Sequence, residues 1–246
     1  MKKICVGILV LLMLTGCGRK EVPVPETTVP VTEITVPETT VAETTQPETL
    51  PTEPTTIPTE PPEPESDDVF VRVLDYIPTA SQELMYATEG NFTGQVIYDF
   101  EDAYLRWGTV KKLRQVSEDL AELGLYLKIW DGFRPVSAQF VLWEVCPNPT
   151  YVANPTTGHS SHSRGNTIDL TLMDENGQEL EMPTGFDDFS AKADRNYADC
   201  TEAAANNAQI LELLMEKHGF KGYSGEWWHF SDTVNYPVEN VFEPKA

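Results

Sequence analysis

The stretch Ser160-Ser161-His162-Ser163-Arg164-Gly165-Asn166-Thr167-Ile168-Asp169-Leu170-Thr171-Leu172 passes abruptly from a polar run into an apolar one. Ile168 to Leu172 reads as a strand, and Asp174-Glu175-Asn176-Gly177 behind it is a hairpin turn signal. On its N-terminal side, Leu125, Leu127 and Ile129 alternate with Tyr126, Lys128 and Trp130, the period of two expected of a strand. Before that strand, Leu105, Val110, Leu113, Val116, Leu120 and Leu123 recur at helical spacing between Asp99 and Leu123, with Gly124 placed as a C-cap. Further out, Val69 to Leu74 predicts a strand and Ser137 to Val145 a short helix. Thr201 to Lys217 predicts a second long helix with Ile210, Leu213 and Leu214 inward and Gly219 at its end. Trp227 to Phe230 closes with another strand. Helices and strands mix without regular βαβ alternation, so the expected class is α+β: a small mixed or antiparallel sheet with flanking helices.

The chain around this core is uneven. Its 246 residues carry 17 Lys+Arg against 39 Asp+Glu, a net charge of −22. Between Glu21 and Ser66 lie 11 of the 19 prolines, 13 threonines and 10 glutamates, with no basic or aromatic residue. Such a segment buries too little apolar surface to offset the entropy of ordering, and its Pro content and like charges bias it towards extended polyproline II. Residues 67–246 hold all 24 aromatics, enough for one well-formed core, and keep a net charge of −16. A surface that negative, with no basic run, repels phosphate backbones, which excludes nucleic acid as a natural partner.

The first residues read as an address. Lys2 and Lys3 precede an apolar run from Ile4 to Leu14 that is too short to span a bilayer stably. Leu14-Thr15-Gly16-Cys17 then resembles a bacterial lipobox. The expected division is a lipoprotein signal peptide over 1–16, a lipidated Cys17 with a disordered linker over 17–66, and one domain over 67–246. The expected location is extracytoplasmic, with acyl chains anchoring the protein to the cell membrane. Cys5 would leave with the signal, and Cys146 and Cys200 either pair or stay free, since two isolated cysteines give no framework.

The chemistry lies in two polar segments, residues 159–169 and 225–229. Asp169 interrupts an apolar strand, where an unpaired carboxylate is costly. Taken singly, Asp169 reads as a salt-bridged aspartate, and His162 and His229 read as core imidazoles with satisfied hydrogen bonds. Together they make the N/N/O set of a catalytic zinc site, which leaves a fourth position open; calcium and magnesium prefer oxygen alone. Glu226 precedes His229 by three, and a zinc hydrolase needs a carboxylate base beside the attacking water. On a regular strand, positions three apart face opposite sides, so both reach one site only where the backbone is irregular; Gly225 is placed to allow it. Arg134, in Asp131-Gly132-Phe133-Arg134-Pro135, is either an oxyanion or carboxylate binder or a plain surface arginine. His218, at a helix end before Gly219, is explained by the helix dipole.

Ser160-x-His162-x-x-Gly165-x-Thr167-x-Asp169 followed by Glu226-x-Trp228-His229 resembles the paired motifs of the zinc D-alanyl-D-alanine dipeptidases. Their wider family includes D,D-carboxypeptidases and hedgehog-like domains. The likeness extends to Tyr86-Ala87-Thr88, Asn91 to Gly94, Trp130 to Pro135 and Phe186-Asp187-Asp188. It implies that His162, Asp169 and His229 hold one zinc per chain, that Glu226 is general base and acid, and that Arg134 stabilises the tetrahedral intermediate. It also implies that Tyr86 and Asp187 meet a substrate ammonium and that Ser160 lies near its carboxylate. Thr167 departs from the alanine of the motif, which bears on pocket shape and substrate preference. The implied substrate is free D-Ala-D-Ala. The expected location favours instead a D,D-carboxypeptidase trimming peptidoglycan stem peptides, and a wall-binding zinc module is a non-catalytic third reading.

Overall fold

The computed structural model describes residues 61–245; the expected leader, Cys17 and nearly all of the Thr/Pro/Glu tract lie outside the described residues. In chain order the elements are β1 (Phe70–Arg72), β2 (Ser81–Gln82), β3 (Tyr104–Arg106), α1 (Trp107–Ala121), β4 (Tyr126–Asp131) and α2 (Val136–Val145). They continue with β5 (Thr167–Met173), α3 (Glu202–Lys217), β6 (Phe220–Tyr223) and β7 (Glu226–Asp232). β1 and β3 form a small antiparallel pair, and the other five strands make one sheet in the order β2-β4-β5-β7-β6. β2 runs parallel to β4, and the remaining pairs are antiparallel. The class is α+β with a mixed sheet.

β5 is the middle strand, and all seven of its residues are buried. This is why Ile168 to Leu172 reads as apolar on both faces apart from Asp169 and the threonines. Its register decides the site. Ile129 of β4 lies opposite Leu170, but Asp131 lies opposite Asp169, because a bulge slips the ladder between Ile129 and Asp131. On the other side Asp169 lies opposite His229 of β7. Asp131, Asp169 and His229 therefore stand side by side across three strands.

α1 packs on this sheet through Val110, Leu113, Val116 and Leu120, each fully buried. Burying each such side chain contributes about 1.5–3 kcal/mol. The helix ends as its sequence predicts: Gly124 takes a positive φ of 70°, and the Leu125 N–H reaches back to the Leu120 carbonyl. Its start is later than the periodicity predicts. Leu105 belongs to β3, whose residues are all buried, and a fully buried strand carries no alternation to separate it from a helix. Leu123 lies past the helix end and is exposed. The first strand is also shorter than expected, because the chain turns into a 3-10 helix over Val73–Asp75.

In α3 the buried stripe is Ala204, Ala208, Leu211 and Met215, while Leu213 is 67% exposed. The sequence reading followed the larger side chains, but small alanines let the helix approach the core, and Ile210 and Leu214 pack only at its margin. Thr201 caps α3 by accepting from the Ala204 N–H. His218 at its far end contacts Asp119 at 2.6 Å through Nε2. Cys146 and Cys200 are free thiols. Two residues assigned to the linker touch the fold, the Pro62 carbonyl accepting from the Tyr76 hydroxyl and Glu63 pairing with Arg114.

Candidate active site

His162 sits in a single 3-10 turn, Ser161–Arg164, that Gly165 closes at φ 73°. A Cβ at Gly165 would lie 2.3 Å from the Phe70 ring, so the turn into β5 needs glycine for both φ and space. The ring of His162 is fixed from behind. Its Nδ1 is 2.8 Å from the Gly132 carbonyl, which only accepts, so the proton is on Nδ1 and the Nε2 lone pair faces forward. There Nε2 lies 3.3 Å from Asp169 Oδ2 and 3.3 Å from His229 Nδ1. His229 Nδ1 is in turn 3.0 Å from Asp169 Oδ1.

One donor atom from each of these three residues lies within 4.8 Å of the others. The set also fits a cation on a separate count. Asp169 Oδ1 is buried without a well-formed hydrogen bond; its near neighbour is the His229 Nδ1 at 3.0 Å, so oxygen and nitrogen converge where a positive ion would complete both. Burial by itself would raise the Asp169 carboxyl, yet the His162 and His229 imidazoles hold it well below the usual carboxylate range, so it stays an anion. Two imidazole nitrogens and one carboxylate are a zinc-type donor set.

Asp131 organises the other wall. Its side chain is fully buried, accepts from the Tyr98 hydroxyl at 2.8 Å and the Gly132 N–H at 2.9 Å, and takes Arg134 Nε at 3.0 Å and Nη2 at 2.7 Å. Gln139 Oε1 accepts from Arg134 Nη1 at 3.0 Å. The guanidinium also lies over the Tyr86 ring, 4.9 Å from its centroid. Burial is the largest influence and would lower the Arg134 pKa, but Asp131 together with Tyr86, Tyr98 and Asp169 outweighs it and keeps the group charged. Arg134 is thus no loose surface arginine but a fixed cation, its Nη2 3.9 Å from Asp169 Oδ2.

All eight expected site residues line one cavity of about 250 Å³. Glu226 Oε2 is 3.6 Å from His229 Nδ1, and burial raises its carboxyl to about 7. The Tyr86 hydroxyl donates to Asp187 Oδ2 at 2.8 Å, and burial raises Asp187 to about 7 as well. Thr167 does not line the cavity; its hydroxyl is 2.9 Å from that of Ser231 on β7. Glu226 and His229 share the cavity through a slip in the β6–β7 ladder, where Gly222 faces Phe230 but Tyr223 faces Glu226. Gly225, expected to supply this irregularity, is not among the positive-φ residues.

Sequence reasoning assigned no role to Asp131, Tyr98 or Gln139. Asp131 carried a signal, an acidic residue ending an apolar strand three residues before Arg134, but its burial and its Tyr98 partner are not visible in the local sequence.

A family model described as D-ala-D-ala dipeptidase, of the peptidase M15 family, matches residues 67–243. The D-alanyl-D-alanine dipeptidase of Escherichia coli (strain K12) is 41% identical over 164 residues, covering 65% of this chain and 84% of that protein. Those of Enterococcus faecalis (strain ATCC 700802 / V583) and Streptomyces coelicolor (strain ATCC BAA-471 / A3(2) / M145) are 34% and 31% identical. They cover 64% and 59% of this chain and 87% and 82% of their own. A fixed arginine, a raised carboxyl and three convergent ligand atoms in one cavity agree with these matches: the chain belongs to the peptidase M15 family and is a metallopeptidase.

Proposed function

We propose that the protein is a zinc-dependent D-alanyl-D-alanine dipeptidase. The observation that carries the reading is the convergence of His162 Nε2, His229 Nδ1 and Asp169 beside Glu226 and Arg134 in one cavity. Zinc held by those three residues would polarise the scissile carbonyl and acidify the attacking water. Glu226 takes the proton from that water and returns it to the departing amine nitrogen, a task its place in the cavity wall beside His229 allows. Arg134, pinned by Asp131 and Gln139, presents preorganised positive charge to the developing oxyanion without reorganising. The Asp187 carboxylate and Tyr86 hydroxyl receive the substrate ammonium, and Ser160 lies by its carboxylate. Those two ends explain the choice of a free dipeptide.

The cavity volume supports a small substrate, since about 250 Å³ lies below the roughly 300–1,000 Å³ of sites for drug-sized ligands. Purified protein given D-Ala-D-Ala and a stem pentapeptide should hydrolyse the dipeptide and leave the pentapeptide intact; the reverse preference would replace this reading with a D,D-carboxypeptidase. The lipobox-like Leu14 to Cys17 supports attachment to the outer face of the membrane, where the dipeptide would come from wall turnover. Cys17→Ser should release the protein from membranes of the native host, and unchanged membrane association would count against the anchor.

A further inference from the structure

Two residues three apart on a strand point to opposite faces, yet Glu226 and His229 enter the same cavity. The ladder shows where the regularity is lost. One step along β6, from Gly222 to Tyr223, faces four steps along β7, from Phe230 back to Glu226. On the β5 side, pairing with β7 begins only at His229. The backbone around Trp227 and Trp228 therefore lacks the ladder that would hold a regular strand in place.

A side chain from outside the sheet takes that position. Arg195 donates through Nη2 to the carbonyls of Trp227 at 3.0 Å and His229 at 2.9 Å, and through Nε to the Tyr223 carbonyl at 2.8 Å. One planar group thus ties the end of β6 to the irregular start of β7. The group is itself held. It lies over the Phe230 ring at 4.3 Å, its Nη1 is 3.3 Å from Glu212 Oε1, and the Tyr197 hydroxyl fixes the other Glu212 oxygen at 2.7 Å. Its side chain is 9% exposed. Gly222 makes room for it, because a Cβ there would lie 2.3 Å from the guanidinium carbon. Arg195 does not line the cavity.

We infer that Arg195 is a positioning residue for the catalytic centre, clamping the slipped β6–β7 segment so that Glu226 and His229 face one cavity. The inference rests on the proposed metal role of His162, Asp169 and His229. Its chemistry explains the residue type: a rigid fork meets three carbonyls at once, whereas an ammonium is a single compact point of charge.

The test measures zinc affinity of the metal-free full chain, together with kcat and KM for D-Ala-D-Ala at saturating zinc. In Arg195→Lys the zinc Kd should rise by roughly 10- to 100-fold, the range for groups that orient metal ligands. The kcat should fall because Glu226 shares the segment, while KM stays within about threefold because the ammonium and carboxylate contacts are on other elements. A purely structural role would lower Tm and leave zinc Kd and kcat unchanged, and that outcome overturns the inference. Glu212→Gln keeps the guanidinium but removes its charge partner and should shift zinc Kd in the same direction by less. If Arg195→Lys does not fold, wild-type zinc Kd and kcat in Glu212→Gln overturn it instead. A wild-type chain that binds no zinc would remove the metal reading, a result distinct from either.

Discussion

The two sides of the metal cluster are built in opposite ways. His162 and Asp169 come from one continuous segment: a turn closed by Gly165, then a fully buried central strand in ladder contact on both sides. Glu226 and His229 come from a strand whose ladder slips, held by a guanidinium that bonds its carbonyls. The first side gains its geometry from backbone pairing, one bulge beside Asp169 included, and the second from a side chain. The contrast teaches that one chemical site can combine a part readable from spacing with a part that is not. It also places Glu226, the proposed base, on the side with the larger slip.

The largest effect should come from that side. Glu226→Gln keeps the shape of the carboxylate but cannot accept a proton, so kcat for D-Ala-D-Ala should fall by roughly 10² to 10⁴. Zinc content should remain at that of the wild type, as metal analysis of the same sample would record. A near-normal kcat in zinc-loaded protein would reassign Glu226 as structural.

Beside Asp169, at the β4 bulge, Asp131→Ala should act first on stability. It leaves the buried Arg134 guanidinium without its carboxylate, a loss of about 3–5 kcal/mol in comparable buried pairs. Denaturant unfolding measures it, and a change under about 1 kcal/mol would mean that Arg134 finds another partner.

A smaller effect is read by pH. Asp187 and Glu226 both have folded pKa values raised to about 7 by burial, above their unfolded values. The folded state then binds more protons between about pH 4 and 7, so each stabilising contribution is full at low pH and is lost as pH rises through 7. Metal-free protein should therefore lose Tm from pH 5 to 8, with a slope of up to about 1.4 kcal/mol per pH unit for each carboxyl. Asp187→Asn should remove one share of that slope and leave the other; an unchanged slope would mean that Asp187 is ionised in the fold.

The smallest effect belongs to Thr167. Its hydroxyl faces Ser231 rather than the cavity, so Thr167→Ala should change KM for D-Ala-D-Ala by less than about threefold. A larger shift would show that this departure from the family motif does shape the pocket.

Much of the site was legible because its signals are local. A carboxylate inside an apolar strand and a histidine seven residues before it need explanation wherever the strand lies, and the motif supplied one. The α+β class, α1 with its Gly124 end, and β5 were legible for the same reason. Leu105 was misplaced because a short, fully buried strand leading directly into a helix shows no change of period. Leu213 was misplaced because size outweighed position, although alanines formed the buried stripe. Asp131 and Arg195 were missed for a different reason. Arg195 acts on carbonyls 32 and 34 residues away at Trp227 and His229, which no local pattern encodes. Asp131 sits only three residues before Arg134, but its burial and its Tyr98 contact, 33 residues away, do not show in the sequence.

The central claim is that both sides meet around one zinc to cleave a D,D-dipeptide, and a zinc titration of the metal-free full chain tests it most directly. Hydrolysis of D-Ala-D-Ala, followed in the same sample, should rise with added zinc and level off at about one ion per chain. Full hydrolysis before any zinc is added, or saturation with zinc that brings no hydrolysis, would contradict the account.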